Sequence, residues 1–462
     1  MATALMAGHI ELQADELRLT TAIPAGNVMQ IALNADLQAE ITWENGDKQT
    51  IVSDGSLQDI AVKSASFTIS SITGNITSLY VQGNQLTSMD VSGATSLTSI
   101  YAADNQLSTL DVSKLKSLSS LDVQGNNLTE LSLTANTGLK SLNIADNQLT
   151  SAKLKLSSTT RLENFVAANN QLTTSPVASV LREAKTIWAP NNQFTSVALN
   201  NNSSLHSLVM TNNKLSSLTL IKQPELTDLW VDSNTIKSLN LSNGTPSLRV
   251  IAADHNQLNS ITWDVTDNKK SLKYAYLNDN VLFPGSLPTR SLLTDIVYAP
   301  QADYELEERY PLGKAIDLSS LLLKNGYETN ITTNVKFVDR EGNALVKGTD
   351  YTDTRRQYTF KTPHAGIRVE ATCSVYPNTT FYSSRFTVGD VIDAVENIPT
   401  STPLSITTGS GSISVATHVA STIHIIDLKG ITLVNETIEG SHTWNVPAGI
   451  YVVNGQKVVV SR

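Results

Sequence analysis

Ten asparagines recur along this 462-residue chain at almost constant spacing, and that spacing limits what the chain can fold into. They are Asn84, Asn105, Asn126, Asn147, Asn170, Asn192, Asn213, Asn234, Asn256 and Asn280, in steps of 21, 21, 21, 23, 22, 21, 21, 22 and 24 residues. Each closes a phrase L-x-x-L-x-L-x-x-N, as in Leu118, Leu121, Val123 and Asn126, or Leu226, Leu229, Val231 and Asn234. A unit this short cannot bury its apolar face alone, so neighbouring units must stack and share one continuous core.

The phrase is the leucine-rich-repeat signature. Its second and third apolar positions flank one residue of a short strand. Alternation turns Leu121 and Val123 into the coil and Asp122 out of it. Stacking then pairs the strands into a parallel sheet at about 4.8 Å per coil. Asparagine has both an amide donor and a carbonyl acceptor, so at the turn it can satisfy backbone groups that no regular ladder reaches. The ten asparagines are therefore expected to be structural. The other half of the unit reads L-T-x-L-D-V-S, as at Leu107–Ser113 and, degenerate, at Leu215–Leu220. Its apolar residues also alternate (Leu110 and Val112, Leu131 and Leu133, Leu239 and Leu241), and helical spacing is absent, which predicts an extended convex side. A weaker eleventh coil follows, with Leu293, Ile296, Tyr298, and Gln301 in place of Asn.

Both halves together, as in Leu97–Ser113, resemble the internalin-J-like leucine-rich repeats of bacterial surface proteins, over residues 76–301. The family's cysteine ladder is replaced here by Ala102, Val123 and Ile144. The resemblance implies a solenoid that presents a concave sheet to a partner. Its ends need caps. Residues 1–75 read as a β capping domain: Val28–Leu33 and Ala39–Trp43 alternate, and Asn45-Gly46 supplies a hairpin turn before Lys48–Val52. Ile41–Asp47 resembles the strand–turn segment that precedes the repeats in related surface proteins. The solenoid is assigned to 76–302. Over 303–390, strands Val335–Val338, Gln357–Lys361, Ile367–Ser374 and Phe381–Val388 with turn clusters between them indicate an Ig-like β-sandwich, and Val338–Tyr351 resembles the Ig-like modules of such proteins.

Residues 391–412 read as a linker, with Pro399, Pro403, Gly409 and Gly411 among Ser and Thr. Residues 413–462 read as a compact β-sandwich with strands at Ser421–Asp427, Ile431–Ile438, His442–Val446, Ile450–Val453 and Lys457–Val460. Three ordered motifs in it, Ile423–Gly430, Trp444–Tyr451 and Gly455–Val460, resemble a type IX secretion C-terminal sorting domain. The matching residues are Asp427, Gly430, Pro447, Gly449, Tyr451 and Lys457, while Ser461-Arg462 departs from the usual closing lysine. The resemblance implies export across the outer membrane, removal of the domain by a sortase-like peptidase, and attachment to lipopolysaccharide at the cell surface. Met1–Ile10 lacks the basic and apolar regions of a signal peptide, so an exported chain would be a mature form with an added Met.

Composition narrows function. A net charge of -9 argues against a nucleic-acid partner, because phosphate binding needs clustered Lys and Arg. The single cysteine, Cys373, excludes an intrachain disulfide and a Cys-based zinc site. No apolar run reaches the length of a spanning helix. The histidines are dispersed without H-x-x-x-H spacing, and Glu305, Glu307 and Glu308 form a charge run rather than a catalytic pair. No catalytic, metal or cofactor site is expected.

Binding candidates lie at the middle outward position of each strand: Tyr80, Tyr101, Asp122, Asn143, Val166, Trp188, Val209, Trp230, Ala252 and Tyr276. Five of these ten are aromatic, against 6% of the whole chain, and exposed aromatics anchor interfaces and stack on sugars. Asp228 and Asp232 flank Trp230, and Asp254 lies one coil on, so that end suits a basic partner or a cation. The expected function is a non-enzymatic surface adhesion or interaction protein that binds an extracellular protein or glycan through the concave face. A matrix spacer without a defined ligand is the alternative, and a glycan-active enzyme the more remote one.

Overall fold

The computed structural model describes residues 14–34, 36–175, 179–200, 202–242, 244–263, 271–288, 293–322, 333–389, 404–427, 432–454 and 456–461. They form two compact units. The first runs to Tyr304 and takes in Thr372–Phe381; the second holds Glu305–Ser320, Asn334–Ala371 and the chain from Tyr382 onward.

The first unit is a leucine-rich-repeat solenoid. Each coil contributes a three-residue strand, such as Ser120–Asp122, to a 13-stranded sheet that is parallel throughout the repeats. Alternation sets the faces as the sequence predicts: Leu121 and Val123 are buried, while Ser120 and Asp122 face outward. Leu118, Leu121, Val123 and Leu128 are all buried, and each such side chain is worth roughly 1.5–3 kcal/mol of transfer free energy. Stacking is therefore driven by leucine, but leucine sets no register.

Asparagine sets it. Asn126 Nδ2 donates to the carbonyl of Ala102 in the preceding coil (3.0 Å) and to Val123 and Gln124 in its own (3.1 and 3.2 Å). Its Oδ1 accepts from the Leu107 amide of the preceding coil at 2.9 Å. The same set recurs at Asn147, Asn170, Asn213 and Asn234. The residue before each ladder asparagine is left-handed, with φ between 51° and 69° at Gly83, Asp104, Gly125, Asp146, Asn169, Asn191, Asn212, Ser233, His255 and Asp279. Gly, Asn and Asp tolerate that region best, and they hold eight of these ten places. At Gly125 a Cβ would also lie 2.3 Å from Asp104 Oδ1, so an added side chain would displace that carboxylate.

The convex side is extended, with short parallel pairs such as Leu131–Leu133 on Leu154–Leu156 and Ser196–Asn200 on Ser217–Ile221. It carries a second set of inward polar groups that the repeat phrase does not announce. Asn136 donates to Val112 and Leu115 (3.0 and 2.7 Å), Asn202 to Leu181 and Ala184 (2.8 and 3.0 Å), and Gln223 to Leu199 and Ile221 (both 3.0 Å). All three side chains are buried.

Both ends of the ladder are closed by specific groups. Val28–Leu33 pairs antiparallel with the first repeat strand, Ser78–Tyr80, and with Gln58–Ala61, so the sheet continues into the N-terminal region. Glu16–Thr21 pairs with Leu86–Asp90 on the other side of the coil. Gln30 takes the place of a preceding coil: its amide donates to Asn84 Oδ1 at 2.9 Å and its carbonyl accepts from Asn84 Nδ2 at 2.5 Å. At the far end Gln301 acts as the eleventh ladder amide, accepting from the Leu282 amide and donating to the Leu277 carbonyl, both at 2.8 Å. Beyond it, Tyr298 meets Tyr376 (centroids 4.9 Å apart) and Phe283 meets Tyr304 and Phe381 (5.2 and 6.0 Å), which covers the last coil's interior.

Arg309–Tyr310, Phe386–Val388, His364–Cys373 and Thr333–Val338, which lie mostly in the second unit, form one sheet, and Ala315–Asp317, Gln357–Phe360 and Tyr351–Thr354 another. The Phe337 ring joins them, 5.0, 5.1 and 4.9 Å from the rings of Tyr351, Tyr358 and Phe360. The C-terminal strands form a separate five-stranded sheet around Ile413, Val415, Ile423, Ile425 and Val453. Two sequence expectations are corrected here. Ser405–Gly409, read as linker, is a strand paired with Ser412–Asp427, because Gly411 (φ 67°) supplies the tight turn between them rather than looseness. Ile431–Ile438 and His442–Val446 are not separate strands but one, Thr432–Asn445, continued past Gly440 (φ 89°) by an irregularity in its register with Ser412–Asp427. The remainder of the linker, 391–403, lies outside the described residues.

Asn126→Leu is expected to lower the unfolding free energy by about 1–3 kcal/mol for each buried group it leaves unpaired. Asn127→Leu, at the exposed next position, should stay within about 0.5 kcal/mol of wild type. Equal denaturation midpoints for the two variants would contradict the structural role of the ladder.

Candidate functional site: the open face of the long sheet

Register brings the predicted outward residues into one continuous file. Tyr80 pairs with Tyr101, then Asp122, Asn143, Val166, Trp188, Val209, Trp230, Ala252 and Tyr276 in succession. Tyr80 and Tyr101 stack with centroids 4.6 Å apart and planes within 7°. Asp122 and Asn143 continue the file as half-buried polar side chains; Asp122 caps the Gln124 amide at 3.1 Å, and Asn143 donates to Gln124 Oε1 at 3.0 Å.

The file changes character after Val166. Trp188 and Trp230 are 47% and 38% exposed, the two large indoles that the unit presents to solvent. Val209 lies between them in register and is only 6% exposed despite pointing to the open side. The flanking indoles account for that burial. The two tryptophans and Val209 therefore form one apolar patch rather than two isolated rings, a feature that periodicity alone does not disclose. Ala252 and Tyr276 extend it. Thr211, Trp230, Asp232, Ala252, Asp254 and Tyr276 line an open depression of about 430 Å³.

The three predicted carboxylates do not behave alike. Asp228 faces Arg249 at 3.6 Å, so its charge is partly met within the chain. Asp232 accepts from Thr211 Oγ1 at 2.7 Å; burial pushes its carboxyl above the usual carboxylate range, opposed by that hydrogen bond and helped by nearby Asp254. Asp254 Oδ2 lies 2.7 Å from His255 Nδ1, and His255 Nε2 lies 3.4 Å from Asp279. The imidazole is raised above its ordinary range chiefly by the Asp254 hydrogen bond, then by the charges of Asp279 and Asp254. His255 is thus a left-handed turn residue bridging two coils through Asp254 and Asp279. Among the described residues no group of three or more His, Cys, Asp or Glu is placed to hold a metal ion.

In the C-terminal sheet Asp427 pairs with Tyr451, and the Tyr451 hydroxyl donates to the Pro447 carbonyl at 2.7 Å. Gly449 begins the strand that carries Tyr451, and Lys457 pairs with Val452 on the next. These motif residues, distant in sequence, fall on neighbouring strands of one sheet; Gly430 lies outside the described residues.

No protein-family model matches the chain, and no curated protein matches it. Among solved structures it is similar to YopM, a leucine-rich effector protein from Yersinia pestis, at 24% identity over 53% of this chain and 70% of that one (TM-score 0.36). It is similar to the functional domain of InlJ from Listeria monocytogenes, which includes a cysteine ladder, at 16% identity over 71% of this chain and 94% of that one (TM-score 0.22). It is also similar to the internalin InlF from Listeria monocytogenes, at 22% identity over 44% and 81% of the two chains (TM-score 0.24). These neighbours are leucine-rich-repeat proteins, internalins among them, all at low identity. Among the described residues no helix is long and apolar enough to cross a membrane.

The raised His255 pKa favours the protonated ring in the folded state, so its stabilisation is full below the ordinary value of 6.5 and is lost as pH rises through the raised folded value. His255→Asn keeps a residue that tolerates the left-handed backbone. Its thermal midpoint should fall below wild type in acid and converge with it in alkali. A difference that does not change with pH would contradict the bridge to Asp254 and Asp279.

Proposed function

We propose that this chain is a non-enzymatic interaction protein of the bacterial cell surface, which binds an extracellular protein or glycan through the open, concave face of its repeats. The observation that carries this reading is the patch Trp188–Val209–Trp230, continued by Ala252 and Tyr276. Exposing 47% and 38% of two indoles on a face that small polar side chains could cover costs the isolated protein solubility. Indoles contribute most when a partner dehydrates them, which is why tryptophan and tyrosine dominate binding hot spots. The depression is open and its two carboxylates, Asp232 and Asp254, lie on the same side, which argues against an enclosed site for hydrolysis, and the patch argues against a spacer without a ligand.

Delivery belongs to the C-terminal sheet in this reading. Its three motifs support recognition by the type IX secretion machinery, cleavage by a sortase-like peptidase in the segment before the sheet, and retention at the outer-membrane surface. Asp427, Tyr451 and Lys457 fall on three neighbouring strands of one sheet, so the three motifs belong to a single folded unit that such machinery could recognise.

Two experiments test the two halves separately. Trp188→Ala combined with Trp230→Ala should leave the thermal midpoint nearly unchanged while reducing adhesion of cells that display the protein; full adhesion by the folded variant would remove the patch from the binding surface. Deleting residues 391–462 should leave the protein in the periplasm, and normal surface delivery of the shortened chain would refute the sorting assignment.

A further inference from the structure

The depression at Ala252 has walls, a floor and a charged rim. Trp230 and Tyr276 stand two coils apart with Ala252 between them in the file. At about 4.8 Å per coil their backbones are about 9.6 Å apart. A flat group touching both rings needs about 7–8 Å, twice the ordinary carbon–carbon contact of about 3.5–4.0 Å. Ala252 has the smallest side chain in the file and lies buried at the floor of the depression, whereas the bulkier Val209 occupies the equivalent position between Trp188 and Trp230.

The carboxylates gather at one end of the depression, with His255 against one of them. Asp232 and Asp254 follow their strands and lie on the pocket's edge beside Thr211. Arg249 and Lys273 precede theirs, at the opposite end of the three-residue strands, and Arg249 is turned to Asp228. Thr211 donates to Oδ1 of Asp232 and His255 lies against Oδ2 of Asp254, and both carboxylates line the depression. Aromatic walls closed by carboxylates suit a planar cation: guanidinium is flat, weakly hydrated, stacks on indole and phenol faces, and forks its donors onto carboxylates. An ammonium has the charge without the plane, and a neutral sugar has stacking faces without the charge.

We propose that this slot takes an arginine side chain from a basic segment of a partner protein, its guanidinium flat between Trp230 and Tyr276 and hydrogen-bonded to Asp232 and Asp254. The inference rests on the binding reading above and narrows it from protein or glycan to protein.

The test is calorimetric titration of the full chain, at low salt, with a hexa-arginine peptide, a hexa-lysine peptide and a neutral hexasaccharide. Wild type, Trp230→Ala and Asp232→Asn are compared after matching thermal midpoints show that each is folded. The arginine peptide should bind wild type more tightly than the lysine peptide, and each variant should weaken it about tenfold or more, the effect of losing one contact to a charged group. Arginine and lysine peptides that bind equally and ignore Trp230→Ala would reduce the site to diffuse charge and overturn the proposal. Sugar binding that is lost in Trp230→Ala would overturn it in favour of a glycan. An absence of arginine binding overturns it as well; if cell adhesion still depends on Trp188 and Trp230, the binding reading survives, and if it does not, both fall.

Discussion

The hydrogen bonds that each ladder asparagine makes to the coil before it are the constraint on which the first unit depends. Buried leucines supply most of the free energy of stacking, but burial is non-directional and would tolerate a slip or rotation between coils. A side-chain amide that reaches one carbonyl and one amide of the preceding coil while closing its own turn does not. Because the contact recurs at every step, the strands align residue for residue, and the outward side chains fall into straight files. The binding surface proposed for this protein is a consequence of that alignment. Substitute the ladder and the tryptophans on alternate coils lose their common line.

The ends obey the same logic. A ladder that accepts from the preceding coil needs something before the first coil and something in the last. Backbone groups of Gln30 and the side chain of Gln301 fill those roles with the same geometry. Glutamine differs from asparagine by one methylene, yet the Gln301 amide still reaches the Leu277 carbonyl of the preceding coil. The caps are thus chemically specific closures of a hydrogen-bond series as well as covers for apolar residues.

Much of this was legible in the sequence. The ten-fold recurrence of Asn within an alternating apolar phrase predicts coils, faces and the outward file, and the Asn45-Gly46 turn predicts the hairpin now seen between Leu37–Trp43 and Lys48–Ser53. What escaped notice has physical reasons. The inward amides at Asn136, Asn202 and Gln223 share their position with Ala94 and Leu115, so no single residue type marks it. The left-handed turn is filled by Gly, Asp, Asn, Ser or His, which look unrelated until conformational tolerance, not identity, is the criterion. Pairing of Asp228 with Arg249, and covering of Val209 by its neighbours, arise between coils about 20 residues apart, where side-chain reach decides and periodicity is silent. Ser405–Gly409 was hidden by a Ser, Thr and Gly composition that serves a hairpin as readily as a linker.

The ladder's role is tested most directly by amide hydrogen exchange in the native protein. The amides of Leu107, Leu128, Leu149, Leu172 and Leu215 lie outside the repeat strands and have an asparagine Oδ1 as acceptor. If the ladder holds coil to coil, they should be as protected as the strand amides of Leu121 and Leu142 and open only with the whole solenoid. Exchange at the rate of exposed turns would contradict the account: leucine packing alone would hold the coils, and the asparagines would be passengers in their turns.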